Sequence, residues 1–138
     1  MNRQEIYEAQ REYFSREGAV LAKMPFTGGG ESCQYRIDPD DPTSGGCAVG
    51  CLIPNELYEA EMDSLEDGTS VDELYSAYPS LFNDQILEGV ESEEWMEAFE
   101  WLRETQRLHD CAALNPVDFV RLLDEAARIR AMSVVEQA

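Results

Sequence analysis

Residues 45 to 58 read GGCAVGCLIPNELY and set Cys47 and Cys51 four apart behind a glycine pair, in a chain of 138 residues with four cysteines and one histidine. Three chemistries suit such residues. The first is nucleophilic catalysis: Cys47 at the start of a helical turn has amide groups to lower its thiol pKa, with His109 as base and Asp110 as orienter. The second is a tetrahedral zinc site, with Cys33, Cys47, Cys51 and either His109 or Cys111 as four soft ligands. The third, which the pattern favours, is architectural: the thiols act as small buried hydrophobes and Gly50 permits close backbone approach.

Spacing argues against the first two. Zinc knuckles offer paired ligands two to four residues apart at both ends, whereas only Cys47 and Cys51 are spaced that way here, and His109-x-Cys111 is unusually tight. His109 shares the apolar side of its segment with Trp95, Phe99 and Leu102, so a packed histidine is the simpler account. In a regular helix Asp110 points about 100° away from it, a poor position from which to orient the imidazole. No catalytic residue and no cofactor is therefore favoured; a cysteine–histidine hydrolase and a small zinc-stabilised protein stand as alternatives.

The strongest compositional signal is charge, with 29 acidic residues against 10 basic ones, a formal net charge of −19. Residues 1–54 hold 8 acids and 5 bases, 55–104 hold 16 and 1, and 105–138 hold 5 and 4. Direct binding to a phosphate backbone needs the opposite sign, so a nucleic-acid ligand is excluded. A crowded negative region instead attracts a basic protein surface. The segment from Ser92 gives this charge a geometry: Glu93, Glu97, Glu100 and Glu104 fall in a narrow helical band, opposite Trp95, Ala98, Phe99, Leu102 and His109. Successive carboxylates in the band are roughly 4.5 to 6 Å apart along the axis, close to phosphate spacing. Glu88, Glu91 and Glu94 flank it, and Glu56, Glu59, Glu61, Asp63, Glu66, Asp67, Asp72 and Glu73 extend it. The plainer reading is a solvated helix face; the sharper one is a ridge that occupies a nucleic-acid-binding groove on another protein.

These residues must be carried by a mainly helical chain of the α+β kind. Residues 1–138 read as one compact domain: an N-terminal helix over 1–24, a Gly/Pro-rich hairpin and cysteine segment over 25–54, an acidic helical region over 55–114 and a C-terminal helix over 115–138. Ile6, Ala9, Tyr13 and Val20, with Tyr7, Phe14 and Leu21 beside them, recur at helical spacing from Arg3 to about Ala22. A small β-hairpin is expected near residues 33–52, with CQYRID and CAVGCLIP as arms, although so short an apolar run fits a buried helical turn equally well by periodicity. Asn55 to Met62 predicts a short helix, and Ser70 with Glu73 forms a capping box for another from Val71. That helix stops at Pro79, and Ser80 to Leu87 adds a turn or two before Gly89. Ser92 caps the longest helix. Asn115 with Pro116 opens the last, whose stripe is Phe119, Leu122, Leu123, Ala126 and Ile129.

Other constellations are weaker. Trp95 and Trp101 read as one core and one boundary residue, since the basic neighbours of a base-stacking platform are missing. DPDDPTSGG lacks the acidic alternation and closing glutamate of a calcium loop, and GGGES lacks the lysine of a phosphate-binding loop. No segment reaches the roughly 20 apolar residues of a membrane span. With no leader pattern at the N-terminus, the chain reads as cytoplasmic, where cysteines are kept as free thiols.

The combination of CQYR, GGCAVGCLIPNELYEAEM and LRETQRLHD resembles a family of small bacteriophage and bacterial proteins in which a CA-x-G-x-LIP core is followed by a Q-x-x-HD segment. Cys47, Ala48, Gly50, Leu52, Ile53, Pro54, Tyr58, Gln106, His109 and Asp110 carry the likeness, over roughly residues 33–110. It implies a phage or bacterial setting, hence a bacterial host cytoplasm, and brings no catalytic residue with it. The expectation that results is a non-enzymatic acidic binding module that inhibits or redirects a host protein with a basic surface, with homodimer formation left open.

Overall fold

The computed structural model describes residues 1–25, 31–38, 40–41, 43–64 and 71–134. Five helices are described: α1 (Arg3–Ser15), α2 (Val71–Ala77), α3 (Pro79–Leu81), α4 (Ser92–Arg107) and α5 (Pro116–Ile129). The molecule is helical and compact around one apolar cluster.

Local chemistry explains the ends of these helices. Asn2 accepts the Glu5 amide at 2.9 Å and Glu5 accepts the Asn2 amide at 2.9 Å, a reciprocal cap that starts α1. This helix stops at Ser15 and does not run on to Ala22, because Arg16 is extended and Gly18 takes φ +80°. Asn115 caps α5 by accepting the Asp118 amide at 2.8 Å, with Pro116 in the first turn as expected. Helix α4 starts at Ser92, but its cap residue is Glu91, whose side chain makes no cap hydrogen bond. Asn55 to Met62 forms short 3₁₀ turns, Asn55–Leu57 and Ala60–Ser64, in place of the single helix expected. Ser70, Glu66, Asp67 and the glycine triplet lie outside the described residues.

The helices meet through aromatic contacts. Phe14 of α1 and Phe119 of α5 pack edge to face at 4.8 Å, while Trp95 and Phe99 stack at 5.1 Å on α4 beside Tyr75. Trp101 and Phe119 are fully buried; complete burial of a phenylalanine side chain contributes about 1.5–3 kcal/mol. Of the two tryptophans, Trp101 is core and Trp95 half-buried. Ile129, expected on the buried stripe of α5, is instead exposed. A buried acid ties the first and last helices: Tyr7 Oη donates to Asp124 at 2.6 Å and Arg11 Nε at 3.0 Å.

Among the described residues the expected hairpin over 33–52 does not form. A three-pair antiparallel ladder joins β1 (Lys23–Pro25) to β2 (Glu31–Cys33), so only Cys33 of the expected first arm is in a strand. Further along, the Asp63 carboxylate accepts the amides of Tyr35 at 2.6 Å and Arg36 at 3.2 Å, which removes the donors a ladder needs. The second arm is a helical turn: Cys51 N donates to Cys47 O at 2.9 Å and Ile53 N to Gly50 O at 3.1 Å. Of the two forms open to the apolar run, the buried turn is the one adopted.

Candidate functional site

The cysteine-bearing turn is built against backbone. A Cβ on Gly46 would lie 2.6 Å from the Tyr35 carbonyl oxygen, and one on Gly50 would also overlap it, so only glycine fits at either place. Arg36 fastens the same region from one side, donating to the carbonyls of Tyr35 at 2.8 Å, Gly50 at 2.5 Å and Ile53 at 2.6 Å. Its guanidinium is buried and lies over the Tyr58 ring at 4.9 Å. Burial lowers the Arg36 pKa, with Tyr13, Tyr58, Cys51 and Asp63 opposing. Tyr58 Oη closes this group with a very short hydrogen bond to Asp63.

From the other side two glutamines reach the turn. Gln106 Oε1 accepts the Val49 amide at 3.1 Å, and Gln106 Nε2 donates to Asp110 Oδ1 at 2.9 Å. Gln10 Nε2 donates to Ala48 O and to Thr105 Oγ1, both at 3.0 Å, while Trp101 Nε1 donates to Gln10 Oε1 at 3.0 Å. The CA-x-G and Q-x-x-HD segments, 59 residues apart between Cys47 and Gln106, are thus bonded to each other. Gln10 was not singled out in the sequence. Its signal is a polar residue on the buried stripe of Ile6, Tyr7 and Phe14.

His109 and Asp110 correct an expectation. The imidazole Nδ1 lies 2.8 Å from Asp110 Oδ1, so the neighbouring carboxylate does orient it. The cause is backbone: α4 widens beyond Arg107 into a π turn over Leu108–Ala112, closed by Ala113 N donating to Leu108 O at 2.8 Å. A wider turn sets successive side chains at a smaller angle than a regular helix does. His109 is fully buried between the Phe14 and Phe119 rings, and its Nε2 meets no hydrogen-bond partner among the described residues.

The thiols also differ from expectation. Cys47 is buried and disulfide-bonded, so it is not a free thiol and carries no thiolate. Its sulfur lies 3.2 Å from Gln106 Oε1, a packing contact, since a disulfide sulfur has no proton to donate. Cys51 is a half-buried free thiol bonded to Ala48 O at 3.3 Å, and burial pushes its pKa up to about 12. Cys111 is free and exposed, not a core residue. Among the described residues no three His, Cys, Asp or Glu side chains gather as a metal-ligand group, and the Cys33 side chain lies outside them. Nor is any helix there long and apolar enough to cross a membrane.

The acidic residues of α4 and its approach are on the surface. Glu88, Glu91, Glu93, Glu94, Glu97 and Glu100 are exposed, and Glu104 is half-buried. Two of the seven have a cation: Glu97 pairs with Arg3 at 3.4 Å and Glu104 with Arg107 at 2.6 Å. Hydrogen bonding from Arg107 holds the Glu104 carboxyl below the usual range. Asp72 pairs with Arg103 at 2.6 Å, and Asp63 serves the Tyr35 and Tyr58 bonds, so these two belong to the architecture. The other five glutamates have no cationic side chain within ion-pair range among the described residues. Glu93 and Glu94 lie in the first turn of α4, where the helix dipole favours negative charge; Glu97 and Glu100 are too far along to benefit.

No family model, no curated protein and no solved structure matches the chain.

Proposed function

We propose that the chain is a non-enzymatic acidic binding module, of phage or bacterial origin, whose α4 face engages a basic surface on a host protein. The single observation that carries this reading is the set of exposed glutamates Glu88, Glu91, Glu93, Glu94 and Glu100, which have no cation among the described residues. Within α4, Glu93, Glu94 and Glu100 stand three or four residues from Glu97 or Glu104, and like charges at that spacing weaken a helix by a few tenths of a kcal/mol per pair, a cost that the Arg3 and Arg107 pairs offset in part and a complementary partner removes. The band of Glu93, Glu97, Glu100 and Glu104, to which two of the five belong, has an axial spacing of roughly 4.5 to 6 Å, close to that of phosphates, so the partner class with the best fit is a protein that itself holds nucleic acid.

A cysteine hydrolase is the weaker reading, because a disulfide at Cys47 leaves no nucleophile there and His109 is sealed by Phe14 and Phe119. Cytoplasmic residence belongs to the proposal and has its own check, since disulfides persist mainly in oxidising compartments. Thiol counting on protein quenched directly from the cytoplasm reads the state of Cys47 there.

The test is affinity capture from bacterial lysate on immobilised wild-type chain and on a Glu93→Gln, Glu97→Gln, Glu100→Gln variant, with elution by salt and by duplex DNA. The proposal expects a protein retained by the wild type, released by both eluents and lost on the variant. Equal retention on both columns, or release by neither eluent, removes it.

A further inference from the structure

A second surface has the opposite character. An open cleft of about 1260 Å³ lies between the end of α1 and the face of α5, with Ala19, Val117, Val120, Met132 and Val134 among its apolar walls and Arg16, Arg121 and Arg128 as its cations. We infer that this cleft binds a small amphiphilic anion, its carboxylate or phosphate head on Arg16 and Arg128 and its apolar body against Val117 and Val120.

The argument rests on which charges are already used. Asp124, the acid of the cleft, accepts from Tyr7 and Arg11 and is committed to the interior. Arg121 is held by Asp118 at 2.6 Å and faces Glu125 at 3.7 Å. Arg16 and Arg128 pair with no carboxylate among the described residues, in a chain with 29 acids and 10 bases. Where acids are in threefold excess, two unneutralised guanidinium groups on one cleft are a local exception. Arg16 is also positioned, its guanidinium carbon 3.9 Å over the Tyr13 ring. Guanidinium forks take carboxylate and phosphate in the same bidentate manner, so both heads share the site's chemistry. Val117 is 80% exposed, an apolar wall that an alkyl or aryl body would cover. The volume exceeds the roughly 300–1000 Å³ of most small-molecule sites, as expected for a cleft open on one side.

Salt is a poor test, because the net charge of −19 repels an anion at long range while the arginines attract it at short range, and screening acts on both. Calorimetric titration of the full chain with decanoate, decyl phosphate and 1-decanol, each below its aggregation limit, separates head from tail. Saturable binding of decanoate, decyl phosphate or both is expected, with decanol at least about tenfold weaker. Arg16→Gln and Arg128→Gln, both exposed and outside any ion pair among the described residues, should stay folded, Arg128→Gln with the wild-type melting temperature and Arg16→Gln lowered only by the lost Tyr13 contact, and each should lose about tenfold in affinity. Decanoate alone binding marks the head as carboxylate, decyl phosphate alone as phosphate. Equal binding of decanol, unchanged affinity in both variants, or no saturable binding of either anion overturns the inference.

Discussion

Gln106 accepts the Val49 amide at 3.1 Å and donates to Asp110 at 2.9 Å, so one side chain joins the cysteine-bearing turn to the histidine end of α4. Deleting it leaves the buried Val49 amide without its acceptor. Gln106→Ala should therefore lower stability by about 1–3 kcal/mol, read from urea unfolding. An unchanged midpoint would mean that the turn's other bonds, those of Arg36, Gln10 and Tyr13 among them, hold it without Gln106.

Gly46 and Gly50 make a sharper claim about the same turn. Because a Cβ at Gly50 would overlap the Tyr35 carbonyl, Gly50→Ala should cost about 1–3 kcal/mol or more, and Gly46→Ala should follow it. Thermal melting of the two variants beside the wild type measures this. A neutral Gly50→Ala would show that residues 35 and 50 are not in backbone contact.

Thiol chemistry should distinguish three classes of cysteine. With the disulfide intact at pH 8, Cys111 alkylates quickly and Cys51 slowly, its pKa raised to about 12 by burial against the opposing charges of Arg36 and Arg16. Cys47 does not react until a reductant is added. Reduction should lower stability by ~2–4 kcal/mol. Mass spectrometry of alkylated peptides reads all three.

Stability should fall at both ends of the pH scale for separate reasons. Glu104 and Asp118 are held below the usual carboxylate range, by hydrogen bonds from Arg107 and from Arg121 and the Leu114 amide respectively. A depressed folded pKa contributes stability above the unfolded value, about 4, and that contribution disappears as pH falls through the folded value. Tyr35 and Tyr58 are raised, first by burial and then by Asp63. Their contribution is complete below about pH 10 and is lost as pH rises further. Urea midpoints against pH, with tyrosinate absorbance at the alkaline end, check both limbs; tyrosines that all ionise as free phenols contradict the second.

The sequence carried much of the helical frame. Asn115 with Pro116 marked the start of α5, and the face of α4 followed from the alternation of Glu93, Glu97 and Glu100 with Ala98, Phe99 and Leu102. It could not decide the run CAVGCLIP, because seven or eight apolar residues fill a strand or a turn equally well. That choice came from Asp63, some ten residues downstream, which occupies the Tyr35 and Arg36 amides. Nor was the contact between His109 and Asp110 legible, since regular helix geometry places neighbours apart and nothing in LHDCA marks a π turn. The disulfide at Cys47 is not legible for a third reason: an even cysteine count with irregular spacing has no pairing information.

The proposed role rests on the glutamate face of α4, and one measurement tests it most directly. With the captured host protein in hand, its dissociation constant is measured across a series of salt concentrations for the wild type and for the Glu93→Gln, Glu97→Gln, Glu100→Gln variant. Binding should weaken steadily as salt rises, and the variant should be weaker at low salt with a shallower dependence. A constant affinity across the series, with variant and wild type coincident, would contradict the account.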